Sequence, residues 1–193
     1  MKKICVFLPG DGIKENSYDL FKSKAEELTV KVRRASSGKD AVGVVFEEIE
    51  RLKIQNVAAS PLSLLNDKEL ERAVSSVGVG FCRELDLEKI ERADMGISEF
   101  ELGVAELGSL FQDASDLHTR LVSMLPPVHL ALLRTSALVE TFAEALEVIE
   151  KVYDGQLPPY LSFITGPSKT ADIERELTIG VHGPETLIIL CID

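Results

Sequence analysis

Apolar segments of strand and helix character alternate along the first half of the chain, and this alternation constrains the fold more than any other feature. Short apolar runs predict strands, and apolar residues spaced three to four positions apart predict the helices between them. Strands are predicted at residues 4–8, 29–35, 56–59 and 77–81, and helices at 17–28, 41–52 and 66–74. Because parallel strands require such crossovers, we predict a three-layer α/β fold, with helices on both faces of a mainly parallel sheet.

The second half of the chain continues with less regular spacing. Strands are predicted at residues 128–133, 160–165 and 187–192, and helices at 87–92, 137–153 and 171–177. Glycines at 96, 103 and 108 predict tight turns and close backbone approaches in the apolar stretch that ends at residue 111. In the helix at 137–153, the residues predicted to face inward are Val139, Phe142, Leu146 and Ile149. With no linker or internal repeat in view, we expect one domain over residues 1–193.

The charge and hydropathy of the chain exclude several function classes. It has 21 Lys and Arg against 32 Asp and Glu, a formal net charge of −11. Such an excess of acidic residues argues against nucleic acid and anionic membranes as partners, because proteins bind both through clusters of Lys and Arg. No apolar stretch approaches the roughly 20 residues that span a bilayer, and the apolar run at 4–8 is too short for a signal peptide. We therefore expect a cytoplasmic protein without membrane insertion.

The cysteines predict neither a disulfide framework nor an iron–sulfur site. Cys5, Cys82 and Cys191 lie far apart in apolar segments, and the chain has no CxxC motif. Asp113, Asp116 and His118 are residue types that bind metal, but their clustering in one polar segment is more typical of turns. We expect the chain itself to bind no metal and no cofactor.

A segment that follows the predicted strand at 160–165 is a candidate anion site. A helix beginning near residue 171 would present free backbone amides to a phosphate or carboxylate. Ser168 and Thr170 would add hydroxyl donors and Lys169 a positive charge. The alternative is that Ser168 or Thr170 only caps the helix while Asp172 complements its dipole. The candidate ligand-binding residues of this segment are Gly166, Ser168, Lys169, Thr170 and Asp172.

Other side chains outside this segment are also candidates for binding or catalysis. His182, in a loop with glycines on both sides, could act as an acid or base or orient a ligand oxygen. It could equally bond a backbone carbonyl. Glu106, beside a glycine turn, could act on a substrate, and Arg120 could hold a carboxylate in its planar fork. The catalytic candidates are therefore Glu106 and His182, whereas His129, in an apolar run, is interpreted as a core histidine.

The two C-terminal motifs are predicted to share one site. A helix of seven residues rises about 10 Å, too little to recross a strand about 20 Å long. We therefore expect the strand at 187–192 to run antiparallel to the strand at 160–165. This arrangement would place the Cα atoms of His182 and Lys169 within about 12 Å of each other.

Four blocks in the second half carry a resemblance to a known family. They are AELGS at 105–109, LPPVHLALL at 125–133, GPSKTADIE at 166–174 and GVHGPETLIILCID at 180–193. In order and spacing they strongly resemble the LUD domain family, the family of lactate-utilization protein C. The resemblance implies a fold of the NagB/RpiA/CoA-transferase kind. It also implies a role beside iron–sulfur and oxidoreductase subunits in the oxidation of L-lactate to pyruvate.

Two functions are compatible with these observations. The first is an accessory subunit of an iron–sulfur-dependent L-lactate oxidation system, with the cluster in a partner subunit. Such a subunit would bind a small anionic ligand or a partner at the face formed by Glu106, Arg120, residues 166–172 and His182. The alternative is a stand-alone enzyme of the phosphosugar isomerase and CoA-transferase superfamily, acting on a phosphorylated or acyl substrate.

Overall fold

A computed structural model of the chain describes residues 15–170, 178–179 and 183–193. The helices of this part are α1 (Glu15–Glu27), α2 (Gly38–Leu52), α3 (Asp67–Ser75), α4 (Leu87–Glu91), α5 (Leu117–Met124) and α6 (Phe142–Tyr153). Its strands are β1 (Lys31–Ala35), β2 (Asn56–Ala59), β3 (Gly80–Cys82), β4 (Met95–Phe100), β5 (Leu102–Val104), β6 (Ser109–Asp113), β7 (Val128–Arg134), β8 (Leu138–Val139), β9 (Leu161–Ile164), β10 (Lys169–Thr170), β11 (Thr178–Ile179) and β12 (Thr186–Ile192).

Within the described ranges, six strands form the main sheet in the order β1-β12-β7-β4-β2-β3, and every neighbouring pair is parallel. Successive residues of a strand point to opposite faces, so β7 contributes to both layers of the core. Leu130 and Leu132 pack with α2 and α3, while Ala131 and Leu133 pack with α1. Helices α4 and α5 cover the α1 face beside β2 through Ile90 and Val122. The predicted three-layer fold with a mainly parallel sheet is confirmed.

The helix starts that the sequence predicts depend on ordinary capping residues. Ser37 caps α2 by accepting the amide of Asp40, and Asn66 caps α3 by accepting two amides. Thr141 and Glu144 form a capping box at the start of α6. These caps satisfy amides that the helix itself leaves unpaired, which is why the predicted boundaries of α2 and α3 are close to the observed ones.

A second sheet, β8-β5-β6-β9, packs beside the main one, and the sequence did not predict it. The glycine-punctuated stretch after residue 95 contains the strands β4, β5 and β6 rather than turns alone. Helix α6 begins at Phe142, because residues 138–139 form β8. Val139 and Ile149 are buried as predicted, but Phe142 and Leu146 are 36% and 47% exposed, so their inward assignment was wrong.

The prediction that the last strand shares a sheet with the strand at 160–165 was also wrong. Strand β12 runs parallel to both β7 and β1. The prediction assumed that the strand at 160–165 shares a sheet with the last strand, whereas β9 is the edge of the second sheet and pairs antiparallel to β6. The chain therefore does not have to recross one sheet between them. Strand β9 is also not an interior strand, since Leu161 and Phe163 are exposed.

Several predictions fall on residues that the structure does not describe. They are the strand at 4–8, Cys5, the helix at 171–177, Asp172 and His182, together with the proposed distance from His182 to Lys169. In the described ranges no helix is both long enough and apolar enough to cross a membrane.

Candidate functional site

A cleft of about 470 Å³ lies where the second sheet meets the main sheet. We call it the main cleft. Strand β9 and residues 165–168 form one wall, and residues 183–184 with the start of β12 form another. Helix α5 contributes Arg120, Ser123 and Met124, and β7 contributes His129.

The position of the main cleft differs from the one expected for a parallel sheet. His129 and Leu187 are register partners near the amino ends of β7 and β12, and both line the cleft. Ligands of open parallel sheets sit beyond the carboxyl ends of the strands. Residues 165–166 do follow the carboxyl end of a strand, but that strand is β9 of the second sheet. The cleft therefore opens at the amino ends of the central parallel strands.

Arg120 supplies positive charge to the main cleft. Its side chain leaves α5 in the first turn, and the guanidinium carbon lies 4.3 Å from the ring centre of Tyr160. Stacking of this kind holds the planar group in one orientation. Nη1 of Arg120 is buried, and it has no hydrogen-bond partner in the described part of the chain. A desolvated guanidinium N–H without an acceptor is unfavourable, and a carboxylate or phosphate oxygen would satisfy it.

The loop at 166–168 lines the same cleft as Arg120 and presents backbone and hydroxyl groups. Gly166 has a φ of 80°, a conformation that favours glycine, and a Cβ there would lie 3.3 Å from Cβ of Leu28. The amide of Ser168 donates to the carbonyl of Pro184 at 2.9 Å, so this amide is not free for a ligand. A Cβ on Gly183 would lie 3.2 Å from Cβ of Ser168, so the two C-terminal loops are in contact. The Ser168 hydroxyl is the side-chain donor that this loop offers to the cleft.

Lys169 is directed away from the cleft, contrary to its predicted role as an anion ligand. Its Nζ donates to the carbonyl of Leu28 at 3.2 Å, at the end of α1. Its backbone pairs with Ile179 in the short β10–β11 ribbon. The side chain of Thr170 lies outside the described residues, as do Asp172 and His182. Of the predicted ligand-binding residues, the structure therefore brings together Gly166, Ser168 and Arg120.

Glu106 does not line the main cleft. It follows β5 in a short 3₁₀ turn, and its Oε1 accepts the amide of Phe142 at 2.7 Å. A carboxylate at this place satisfies a free amide of α6 and complements the positive end of the helix dipole. The geometry gives Glu106 a structural contact with α6 and places it apart from Arg120 and Ser168.

His129 is a satisfied core histidine, as the sequence predicts. Its Nε2 lies 2.9 Å from Oγ of Ser98, and its ring packs against Phe100 with centroids 5.7 Å apart. Burial lowers the pKa of His129 to about 3, so the imidazole is neutral at physiological pH. It forms part of the cleft without supplying charge.

The polar segment at 113–119 shows the turn chemistry that the sequence indicates. Asp116 caps α5 by accepting the amide of Thr119 at 2.8 Å, and Asp113 accepts the amide of Ser115 at 3.0 Å. Within the described ranges, no three or more His, Cys, Asp or Glu residues are grouped so that they could hold a metal ion.

A comparison with known family models shows which family the chain belongs to. Residues 18–192 match the LUD domain family model. The chain belongs to the LUD domain family. The resemblance seen in the four sequence blocks is thereby confirmed.

Two relatives of this LUD domain illustrate how much of the chain is shared. It is 40% identical over 117 residues to an uncharacterized protein of Neisseria meningitidis serogroup B, covering 59% of this chain and 50% of that protein. It is 38% identical over 101 residues to lactate utilization protein C of Bacillus velezensis, covering 51% of this chain and 42% of that protein. The chain thus spans about half the length of these relatives.

A solved structure shows the same fold at low sequence identity. The crystal structure of a DUF162 family protein from Deinococcus radiodurans aligns with a TM-score of 0.67 at 18% identity. The alignment covers 93% of this LUD domain and 98% of that chain.

Three of the four sequence blocks that resemble the family contribute residues to the main cleft of this LUD domain. The blocks at 166–174 and 180–193 supply residues 166–168, 183–184 and Leu187, and the block at 125–133 supplies His129. The block at 105–109 supplies none of the lining residues. Tyr160, which orients Arg120, was missed because the sequence marks it only as the start of a strand. The neighbouring Pro158 and Pro159 give no signal for a cation–π contact.

Proposed function

We propose that this LUD domain acts in lactate utilization as an accessory subunit of an iron–sulfur-dependent L-lactate oxidation system, and that it binds a small carboxylate in the main cleft. Relatives named lactate utilization protein C support a role in lactate utilization. The cleft supports the ligand class, because Arg120 is the one cation among the described residues that line it. In a chain with a formal net charge of −11, a local cation of this kind favours the binding of an anion at the cleft.

The observation that carries the proposal is the buried Nη1 of Arg120, for which the described residues offer no hydrogen-bond partner. Lactate and pyruvate each offer a planar carboxylate that matches the guanidinium fork. A hydroxyl or keto oxygen beside that carboxylate can meet a hydroxyl donor, and Ser168 offers one from the facing loop. Hydrogen bonds to a charged group are worth about 1.5–3 kcal/mol each, enough for measurable affinity in a partly enclosed cleft.

Substitution of Arg120 tests the ligand proposal. We expect Arg120→Gln to weaken the binding of L-lactate and pyruvate by at least about tenfold, because it removes the charge-assisted hydrogen bonds. Isothermal titration of the whole chain measures this affinity. The matched control is Lys169→Gln, which removes a cation bonded to the Leu28 carbonyl and should leave affinity unchanged. Equal loss in both variants, or no loss in Arg120→Gln, would contradict the assignment.

The placement of the two cysteines that the structure describes supports an iron–sulfur cluster in a partner rather than in this chain. Cys191 lies on β12 and Cys82 on β3, four strand positions apart in the main sheet. At a strand spacing of about 4.8 Å they are roughly 19 Å apart, too far to ligate one cluster.

The chain purified alone under anaerobic conditions should therefore be colourless and free of iron. The measurement is the visible absorption spectrum together with iron and sulfide analysis. We expect the iron to appear only when the chain is co-purified with a cysteine-rich partner. A brown preparation with stoichiometric iron and sulfide would contradict the proposal. Turnover of a phosphorylated or acyl substrate by the chain alone would favour the alternative, a stand-alone enzyme.

A further inference from the structure

A second cavity, of about 220 Å³, lies at the carboxyl ends of β2 and β4. We call it the acidic pocket and define it by Ser60, Glu99, Glu101, Asp113 and Asp116. Residues 112–120 separate it from the main cleft, and different residues of this segment line the two cavities. Gln112, Ala114 and Arg120 line the main cleft, whereas Asp113, Ser115, Asp116 and Thr119 line the acidic pocket.

Ser60 carries an unpaired hydroxyl at this pocket. The residue is 1% exposed, and its Oγ has no hydrogen-bond partner among the described residues. Its backbone amide donates to the carbonyl of Ile97 at 3.0 Å, which anchors it at the edge of the sheet. Buried hydroxyls are normally paired, so an unpaired one lining a cavity points to a ligand.

The carboxylates of the acidic pocket are held in place by internal donors. Glu99 accepts both the amide and the hydroxyl of Ser63 at 2.6 Å. Oδ2 of Asp113 accepts the hydroxyl of Tyr153 at 3.3 Å. Each carboxylate oxygen can accept more than one hydrogen bond, so acceptor capacity remains. Among the described residues that line this pocket there is no Lys or Arg, so the carboxylates of Glu99, Asp113 and Asp116 meet no positive charge from within it.

We propose that the acidic pocket binds the primary ammonium group of a small organic amine. An ammonium carries one positive charge and three N–H donors, which the Ser60 hydroxyl and the carboxylates can accept together. A bare metal ion fits less well, because the described acidic residues do not form a group able to hold one. The volume of about 220 Å³ accommodates an amine of a few carbon atoms. This inference is independent of the anion proposed for the main cleft.

Titration with ethylammonium chloride at pH 7 and constant ionic strength tests the inference. The amide signals of Ser60, Glu101 and Asp113 in two-dimensional NMR spectra should shift and saturate. Tetramethylammonium, which has the charge but no N–H donor, should leave them unchanged. Saturation by tetramethylammonium, displacement of ethylammonium by sodium or potassium, or the absence of a saturable shift would each overturn the inference.

Substitutions then localise the site. Ser60→Ala and Asp116→Asn should each weaken ethylammonium binding by about tenfold. Asparagine is as good a helix cap as aspartate, so Asp116→Asn removes the charge while keeping the start of α5. The control is Glu147→Gln, which removes an exposed carboxylate of α6 that does not line the pocket. Equal weakening in all three folded variants would show general charge attraction and overturn the inference.

Discussion

Replacing Gly96 by alanine should destabilise the protein by about 3 kcal/mol or more. Gly96 lies in β4, and a Cβ there would be 2.0 Å from the carbonyl oxygen of Val122. Because that oxygen belongs to the backbone of α5, no side-chain rotation relieves the contact. The helix must move away from the sheet, and Arg120 moves with it. Chemical unfolding of the variant and the parent measures the loss.

Gly43→Ala is the matched control for this substitution. Gly43 lies within α2, and a Cβ there would meet nothing within 4 Å. Alanine is the better helix former by roughly 1 kcal/mol, so this variant should be as stable as the parent or more stable. A Gly96→Ala protein with unchanged stability would contradict the close packing of α5 on β4.

The pH dependence of stability should change when Glu101 is replaced by glutamine. Burial raises the pKa of Glu101 to about 8, and the nearby carboxylates of Asp113 and Glu99 add to the shift. Between the ordinary pKa of a glutamate and pH 8, the unfolded chain has released this proton while the folded chain retains it. The contribution of Glu101 to the free energy of unfolding therefore falls as pH rises through that range.

Glu101→Gln removes this titration while keeping an oxygen that accepts the Asp113 amide. We expect the variant to be as stable as the parent near pH 5 and more stable at pH 9, by on the order of 3 kcal/mol. Free energies of unfolding measured at several pH values test this. A stability difference that does not vary with pH would show that Glu101 has an ordinary pKa.

The regular part of the fold could be predicted because local signals decide it. Ser37 and Asn66 mark helix starts, and the alternating strands and helices allow few arrangements other than a covered parallel sheet. The second sheet could not be predicted in the same way. Its strands β5 and β8 have three and two residues; Gly103 within β5 suggests a turn, and the apolar residues of β8 fit the helix predicted at 137–153. Long-range packing stabilises them as a sheet, with α6 and Phe163 of β9 around Phe111 on one side and α1 against Leu110 on the other.

The candidate site was predictable in its residue types and not in its geometry. Arg120 was identified as a carboxylate ligand from its planar fork, and it lines the main cleft. Lys169, with the same sign of charge, is turned toward the Leu28 carbonyl. That orientation depends on the position of the end of α1 in the folded chain, which the sequence around Lys169 does not predict. Tyr160 gains its role in the same way, because it stacks on Arg120 from a different element.

The most direct test of the account is a crystal structure of the chain with L-lactate bound. We predict the lactate carboxylate in the main cleft, within hydrogen-bonding distance of the Arg120 guanidinium and on the side of the Ser168 loop. Soaking or co-crystallisation of the Arg120→Gln variant under the same conditions should show no lactate there. Lactate bound elsewhere on the chain, or bound in the cleft equally in the variant, would contradict the central claim that Arg120 makes this cleft a carboxylate site.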